Sequence, residues 1–399
     1  MFQKKQTIHS FFLIICVIGF FAILSSTMSK NPVLKPFATS LGTPNDMVGL
    51  VAAASTIPGL IISFPAASLS DIVGRRKLLL FSAFLFASAP FLYLFITAWW
   101  QLILVRFYHG FATAIFVPVT EATIAKNFPK KRGERISIFS SATAVGRAFA
   151  PFLGGAILFV TINDFQNLYL AVGIAGITAF VVTLLFPSES KNQATHKPNC
   201  DGVTKRLFKG WSELVRNRGV LVVSLIQASQ YYVFGAVEFF LVGYLLEIVK
   251  LDLFSVGVIM GSQIVALIIA RPFMGRLSDR VGRHAPIILG SFISSVFLLL
   301  FPFITLFPML LFLSIGYGVS FAMVISSTSP LICDFVSSTM IGSSLGFLNT
   351  MMDVGQTAGP IISGLILASA WQYTGLFYSL SALLLFSCVI FVVSKLARA

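Results

Sequence analysis

Residues 67–76 read Ala67-Ser68-Leu69-Ser70-Asp71-Ile72-Val73-Gly74-Arg75-Arg76, and residues 275–284 read Gly275-Arg276-Leu277-Ser278-Asp279-Arg280-Val281-Gly282-Arg283-His284. Each stretch carries Leu-Ser-Asp followed by Gly-Arg, and the two aspartates are 279 − 71 = 208 residues apart. A second pattern repeats at almost the same distance. Gly146, Ala150, Pro151, Gly154 and Gly155 correspond to Gly355, Gly359, Pro360, Ser363 and Gly364, with 360 − 151 = 209. Two unrelated patterns at one offset imply that the 399-residue chain is an internal duplication.

Both Asp…Gly-Arg stretches follow long apolar runs. About 18 or more apolar residues, at 1.5 Å rise each, suffice to cross the hydrocarbon of a bilayer. Such runs occupy roughly 11–29, 47–68, 78–97, 99–125, 136–160 and 167–186, then 219–246, 253–275, 286–305, 308–333, 344–369 and 372–394. Composition agrees: 57% of residues are hydrophobic, 11% are charged and mean hydropathy is +0.91. A soluble domain carries about 25% charged residues, and the alternating ten-residue segments of a membrane barrel are absent. The expected fold is an all-α integral membrane protein of twelve transmembrane helices in two six-helix bundles, 1–186 and 219–399, joined by a polar linker, 187–218.

Basic residues alternate between the two sets of connections. One set holds Lys4, Lys5, Arg75, Arg76, Lys77, Lys130, Lys131, Arg132, Arg135, Lys205, Arg206, Lys209, Arg216, Arg218, Arg276, Arg280, Arg283, Lys395 and Arg398; the opposite set holds Lys30, Lys35 and Lys250. By the positive-inside rule both termini and the linker are expected in the cytoplasm, with the chain multi-pass in the cell (inner) membrane. The same asymmetry explains the net charge of +14, and no soluble basic face is left for nucleic acid. The N-terminus is read as an uncleaved first span, because no small-x-small cleavage pattern precedes Lys30. Cys16, Cys200, Cys333 and Cys388 show no metal-ligand spacing and read as packing residues. Within the linker Leu207, Phe208, Trp211, Leu214 and Val215 recur at helical spacing among basic residues. That piece is either a helix lying on the anionic leaflet or a solvated linker helix.

The Asp71 and Asp279 stretches resemble the G-x-L-x-D-R-x-G-R-R signature of the major facilitator superfamily, placed after spans two and eight as in that family. Arg106-x-x-His109-Gly110 in span four resembles its R-x-x-q-G pattern, and Gly146–Gly155 resembles the G-x-x-x-G-P-x-x-G-G antiporter motif of span five. Pro32-Val33-Leu34-Lys35-Pro36 is similar to the P-x-x-P of the twelve-span drug:proton antiporter branch. Ala67, Ile72 and Ala150 depart from these patterns, and span one lacks the acidic residue that drug antiporters often carry there. The resemblance implies a gating role for Asp71, Gly74, Arg75, Asp279, Gly282 and Arg283, which brace neighbouring helices. Asp334, at the end of span ten, is the expected partner of Arg283, while the equivalent place after span four holds Lys126.

Ionisable residues inside a membrane are rare and face cavities or partners, since a charge at the centre costs about 2.5–3.5 kcal/mol on insertion scales. Here they are Arg106, His109 and Glu121 in span four, Arg147 in span five, Glu238 in span seven and Asp353 in span eleven. Arg106, Gly110, Thr113, Val117 and Glu121 share one helical face. Arg106 and Glu121 are about 22 Å apart along the axis and cannot pair. Arg106 therefore faces an aqueous cavity, or is held by a buried acid or by carbonyls. Arg147 is a second cation, suited to an anionic substrate group or to Glu238 or Asp353, unless its stem snorkels outward. Burial favours a neutral carboxyl and a nearby arginine the charged form, so a carboxylate moving between those settings could carry a proton. Asp353 and Glu238 are the candidates for that role, followed by Glu121, whose other reading is a partner for Arg75. His109, Thr113, Tyr231, Tyr232, Gln263 and Gln356 are candidate cavity-lining residues beside Arg106 and Arg147. Gly146, Pro151, Gly154, Gly155, Gly355, Gly359, Pro360 and Gly364 are expected to serve close helix packing and bending.

No G-x-x-x-x-G-K-[ST] loop and no H-E-x-x-H is present, so ATP-driven transport and intramembrane zinc proteolysis lack support, and neither cofactor nor metal is expected. The expectation is a monomeric secondary transporter, not an enzyme, that exports a small, drug-like organic molecule in exchange for protons. Its rivals are an exporter or facilitator of an anionic metabolite, sugar or siderophore and, outside transport, a membrane receptor.

Overall fold

The computed structural model describes residues 2–129, 131–185, 214–337 and 340–396; the side chains of 2–10, 63–65, 67–69, 71–72, 341–342 and 395–396 lie outside the description. The helices are α1 (Phe2–Met28), α2 (Leu34–Ser40), α3 (Asn45–Ala53), α4 (Ile57–Val73), α5 (Arg75–Tyr93), α6 (Trp99–Asn127), α7 (Arg132–Val160) and α8 (Phe165–Leu184). They continue as α9 (Arg218–Glu247), α10 (Leu253–Val281), α11 (His284–Leu300), α12 (Phe307–Asp334), α13 (Ile341–Leu367) and α14 (Gln372–Leu396). No strand occurs among the described residues. Eleven stretches among them are long and apolar enough to cross a membrane. The twelfth long helix, α13, has 27 residues and carries the polar Asn349, Asp353, Gln356 and Thr357.

One span departs from its sequence reading. The apolar run 47–68 reads as a single helix, yet it is two, α3 and α4, with a turn at 54–56 between them. Pro58 at the start of α4 supplies the local reason, since it has no N–H for the preceding turn. The amphipathic stretch proposed for the linker lies outside the described residues except for its end, where Leu214 is buried and Val215 exposed.

The chain groups into two units, Met1–Pro44, Leu50–Lys197 and Leu251–Gly261 in one, and Asn45–Gly49, Pro198–Lys250 and Ser262–Ala399 in the other. Within the first, α1 packs against α7 and α8, α5 against α6 and α8, and α4 against α6. Within the second, α9 packs against α13 and α14, and α11 against α12 and α14. The pairings of α1 and α5 in the first unit match those of α9 and α11 in the second, so the duplication extends from sequence to packing. Phe12, Ile15, Phe86, Phe116 and Phe139 fill the first core, and Val223, Ile226, Ile287, Val324 and Leu348 belong to the second. Phe84, Leu104, Phe149, Ile174, Phe292, Phe312 and Phe386 point outward and exposed, as side chains that meet lipid do.

The repeated glycines do two jobs. Gly74 (φ +100°) and Gly282 (φ +86°) lie between α4 and α5 and between α10 and α11, in a backbone region that L side chains rarely adopt. This is why each Asp-x-x-Gly-Arg stretch needs its glycine. Gly146 brings α7 against α1, where an added Cβ would lie 2.5 Å from Phe20 O; on α13, a Cβ on Gly355 would overlap Ala228 O and one on Gly359 would overlap Tyr232 O. Gly154 approaches Asn31 O, and Gly155, Pro151, Pro360 and Gly364 are buried.

Candidate functional site

In the first unit the polar centre is Arg106. It is 1% exposed, and two of its nitrogens bind span two: Nε donates to Val51 O at 2.9 Å, and Nη2 to Ala52 O at 3.3 Å and to Ser55 Oγ at 2.6 Å. Of the readings open from sequence, the geometry is that of a carbonyl clamp. His109, one turn on, is buried edge-on between Phe86 and Tyr93, each with centroids 6.1 Å away, and its Nε2 has no hydrogen-bond partner among the described residues. Tyr93 in turn stacks on Tyr169 at 4.3 Å. Further along the same face Thr113 Oγ1 lies 3.3 Å from Ser26 Oγ on α1, and Glu121 is half-buried near the end of α6. Arg147 stands apart from all of these, exposed on α7 and with no partner among the described residues.

The second unit gathers its polar side chains differently. Glu238 is 5% exposed on α9 and lies within electrostatic reach of Tyr317, which is fully buried on α12. Tyr317 begins an aromatic column: its ring and that of Phe321 are 6.3 Å apart, Phe321 stacks on Phe234 at 4.7 Å, and Tyr231 meets Phe321 edge-on at 5.3 Å. Beside it Ser314 Oγ donates to Gln263 Oε1 at 3.3 Å. Glu238 and Tyr231 from α9 and Gln263 from α10 thus each reach α12, at Tyr317, Phe321 and Ser314 respectively. Gln356 packs its backbone and stem against Gly235, and Tyr232 against Gly355 and Gly359. Asp353, half-buried on α13, makes no ion pair or hydrogen bond among the described residues.

At the end of the second unit that bears Arg283, the residues for which the resemblance implies gating come together. Arg283 Nη1 lies 2.7 Å from Asp334 Oδ2 and also donates to Pro330 O. With Ser278, Asp279, Gly282, His284 and Leu331 they line an open pocket of about 270 Å³. In the first unit Arg75 is buried, while the side chain of Asp71 lies outside the description. Sequence reasoning missed two interhelical pairs that cross the second bundle. Thr328 Oγ1 donates to Gln227 Oε1 at 2.7 Å, and Gln230 Nε2 to Ser291 Oγ at 3.0 Å. Gln227 and Gln230, three residues apart inside an apolar run, were the available signal.

Comparison with known proteins agrees with this architecture. The family model of the Major Facilitator Superfamily matches residues 15–261 and 223–398. The multidrug resistance protein MdtG of Proteus mirabilis is 26% identical over 325 residues, covering 80% of this chain and 79% of that protein. The probable galactarate/D-glucarate transporter GarP of Escherichia coli K12 is 23% identical, with 99% and 97% covered. Among solved structures, a bacterial homologue of the human lysosomal transporter Spinster superposes with a TM-score of 0.77 at 14% identity, covering 97% of this chain and 95% of that one. Spans, duplicated packing and family match agree, and the chain is a multi-pass membrane transporter belonging to the Major Facilitator Superfamily.

Proposed function

We propose that the protein exports a small, drug-like organic molecule by alternating access, in exchange for protons, with Asp353 and Glu238 carrying the coupling. The observation that carries this reading is Asp353: a carboxylate inside a span, half-buried, with no basic partner among the described residues. A membrane does not keep such a group without use. Glu238 supports it, buried on α9 within electrostatic reach of Tyr317 on α12. The likeness to a multidrug resistance protein supports the substrate class. The basic ends of the spans face the cytoplasm on this reading, and the monomer, two six-span halves (1–186 and 219–399) with a cytoplasmic linker, works in the cell membrane.

The test is uptake driven by a pH gradient in inverted vesicles, across a chemical panel, with substrate binding measured in parallel. Asp353→Asn or Glu238→Gln abolishes accumulation while binding persists. If both variants still accumulate substrate against its gradient, the coupling assignment is wrong.

One observation favours a second reading. Arg147 is a cation inside α7, exposed and unpartnered among the described residues, and a sugar-acid transporter is among the similar proteins. An anionic substrate would be recognised by Arg147, and Arg147→Gln would then remove binding of sugar acids from the panel while sparing neutral and cationic compounds.

A further inference from the structure

Span two is broken, and its counterpart in the second half is not. α3 ends at Ala53 and α4 begins at Ile57, whereas α10 runs continuously from Leu253 to Val281. Across the break the backbone ladder changes partners. Ala54 N donates to Leu50 O at 2.9 Å, but Thr56 N turns back to Ala53 O at 2.9 Å and Gly59 N to Thr56 O at 3.0 Å. Pro58 has no N–H to give. The carbonyls of Val51 and Ala52 are served instead by the guanidinium of Arg106, whose Nη2 also holds Ser55 Oγ. Backbone groups left unsatisfied in hydrocarbon are costly, so irregular backbone persists there only where protein satisfies it.

The helix crossing itself is duplicated. Gly110 lets α6 lie against the break, where a Cβ would fall 2.9 Å from the Ser55 Cα and overlap its oxygen; Gly318 lets α12 lie against Gln263 O in the same manner. The offsets agree: 318 − 110 = 208, 263 − 55 = 208 and 314 − 106 = 208. At the position of Arg106 the second half has Ser314, which bonds the Gln263 side chain and leaves the ladder of α10 intact. One crossing therefore carries a guanidinium over broken backbone, and the other a hydroxyl over continuous helix.

We infer that Arg106 is a positioning residue that holds a hinge in span two at 54–56, about which α3 and α4 change their angle during the transport cycle. The hinge belongs to the first half alone. Carbonyls held by a flexible, planar, multi-donor side chain tolerate changes of angle that a backbone ladder does not. The inference rests on the chain being a transporter. It does not depend on the proton coupling or substrate class proposed above, so its test uses neither substrate nor pH gradient.

The test has two arms on the purified full chain in nanodiscs. First, spin labels are placed at Met47→Cys and Ile61→Cys, flanking the break, and at the corresponding Ser255→Cys and Ile269→Cys in span eight, with the four native cysteines replaced by serine. The distance distribution across 47 and 61 is expected to be broader than that across 255 and 269; equally narrow distributions overturn the hinge. Second, hydrogen exchange is followed in Arg106→Ala, Arg106→Lys, Ser55→Ala and Ser314→Ala. Losing hydrogen bonds from a charged donor should speed exchange across 54–60 about ten- to hundredfold in Arg106→Ala, with α5, α7 and α8 unchanged. Arg106→Lys should be intermediate, because an ammonium lacks the planar fork, and Ser314→Ala should leave 253–281 at its original rate. Uniformly faster exchange throughout the first unit, or no change at 54–60, overturns the inference. Should Arg106→Ala fail to fold, Ser55→Ala removes one of the three contacts and must still raise exchange locally.

Discussion

Arg283 Nη1 stands 2.7 Å from Asp334 Oδ2, and the same guanidinium donates to the carbonyl of Pro330. One side chain thereby ties the turn after α10 to the last turn of α12. The first half cannot repeat this tie. The counterpart of Arg283 is Arg75, since 283 − 75 = 208, but the counterpart of Asp334 is Lys126, since 334 − 126 = 208. A duplication that preserved both glycine turns thus reversed the charge opposite one of them.

The pair is partly wet, with side chains 29% and 52% exposed, so its intrinsic worth is about 0–1 kcal/mol. Asp334→Asn should therefore shift the thermal midpoint only slightly, and Arg283→Ala more, because Pro330 O also loses its donor. A double-mutant cycle on thermal unfolding should give a coupling energy of less than about 1 kcal/mol. A coupling several times larger would show that the exposed geometry is not the one populated.

Gly355→Ala and Gly359→Ala should destabilise the second unit by about 1–3 kcal/mol each, through overpacking against Ala228 O and Tyr232 O. Gly275→Ala serves as control, because nothing lies within 4 Å of its added Cβ. Chemical unfolding of the three variants checks the order. A Gly355→Ala protein as stable as the control would mean that α9 and α13 separate freely at this point.

Thr328→Val removes the hydroxyl that donates to Gln227 at 2.7 Å and leaves the amide without that bond inside the bundle. Interhelical hydrogen bonds of this kind contribute about 0.6 kcal/mol on average and at most about 1.7. The variant should lose stability within that range, and Gln227→Leu combined with Thr328→Val should recover part of it, since the orphaned amide is then gone.

Cys200 reports orientation. An impermeant maleimide should leave it unlabelled in right-side-out vesicles and label it readily in inverted ones, as expected from basic residues clustered on one set of connections. Prompt labelling in right-side-out vesicles would reverse the assignment of both termini.

The separate fates of the two intramembrane arginines show where sequence reading ends. Both are candidates for a substrate cavity in the sequence, Arg106 from the face it shares with Gly110 and Thr113 and Arg147 from its depth, and both are local quantities. Arg106 proved to be held by two carbonyls and a serine hydroxyl 51 to 55 residues away on another span, whereas Arg147 is exposed on its helix. Rotation about the helix axis decides between such outcomes, and it is set by packing partners that are distant in the chain. The charged pair at the end of span ten was more legible. The pairing of Arg283 with Asp334 followed from a repeated motif and a helix end, and the structure brings the two together.

The amino-acid sequence by itself determined the twelve spans, the duplication at an offset of 208 and the superfamily, because hydropathy and motif spacing act along the chain and survive without knowledge of neighbours. Pro58 permits span two to break at 54–56, and tertiary structure alone decided that Arg106 closes it. A helix in lipid continues unless its released carbonyls find a donor elsewhere, and that donor arrives from another helix.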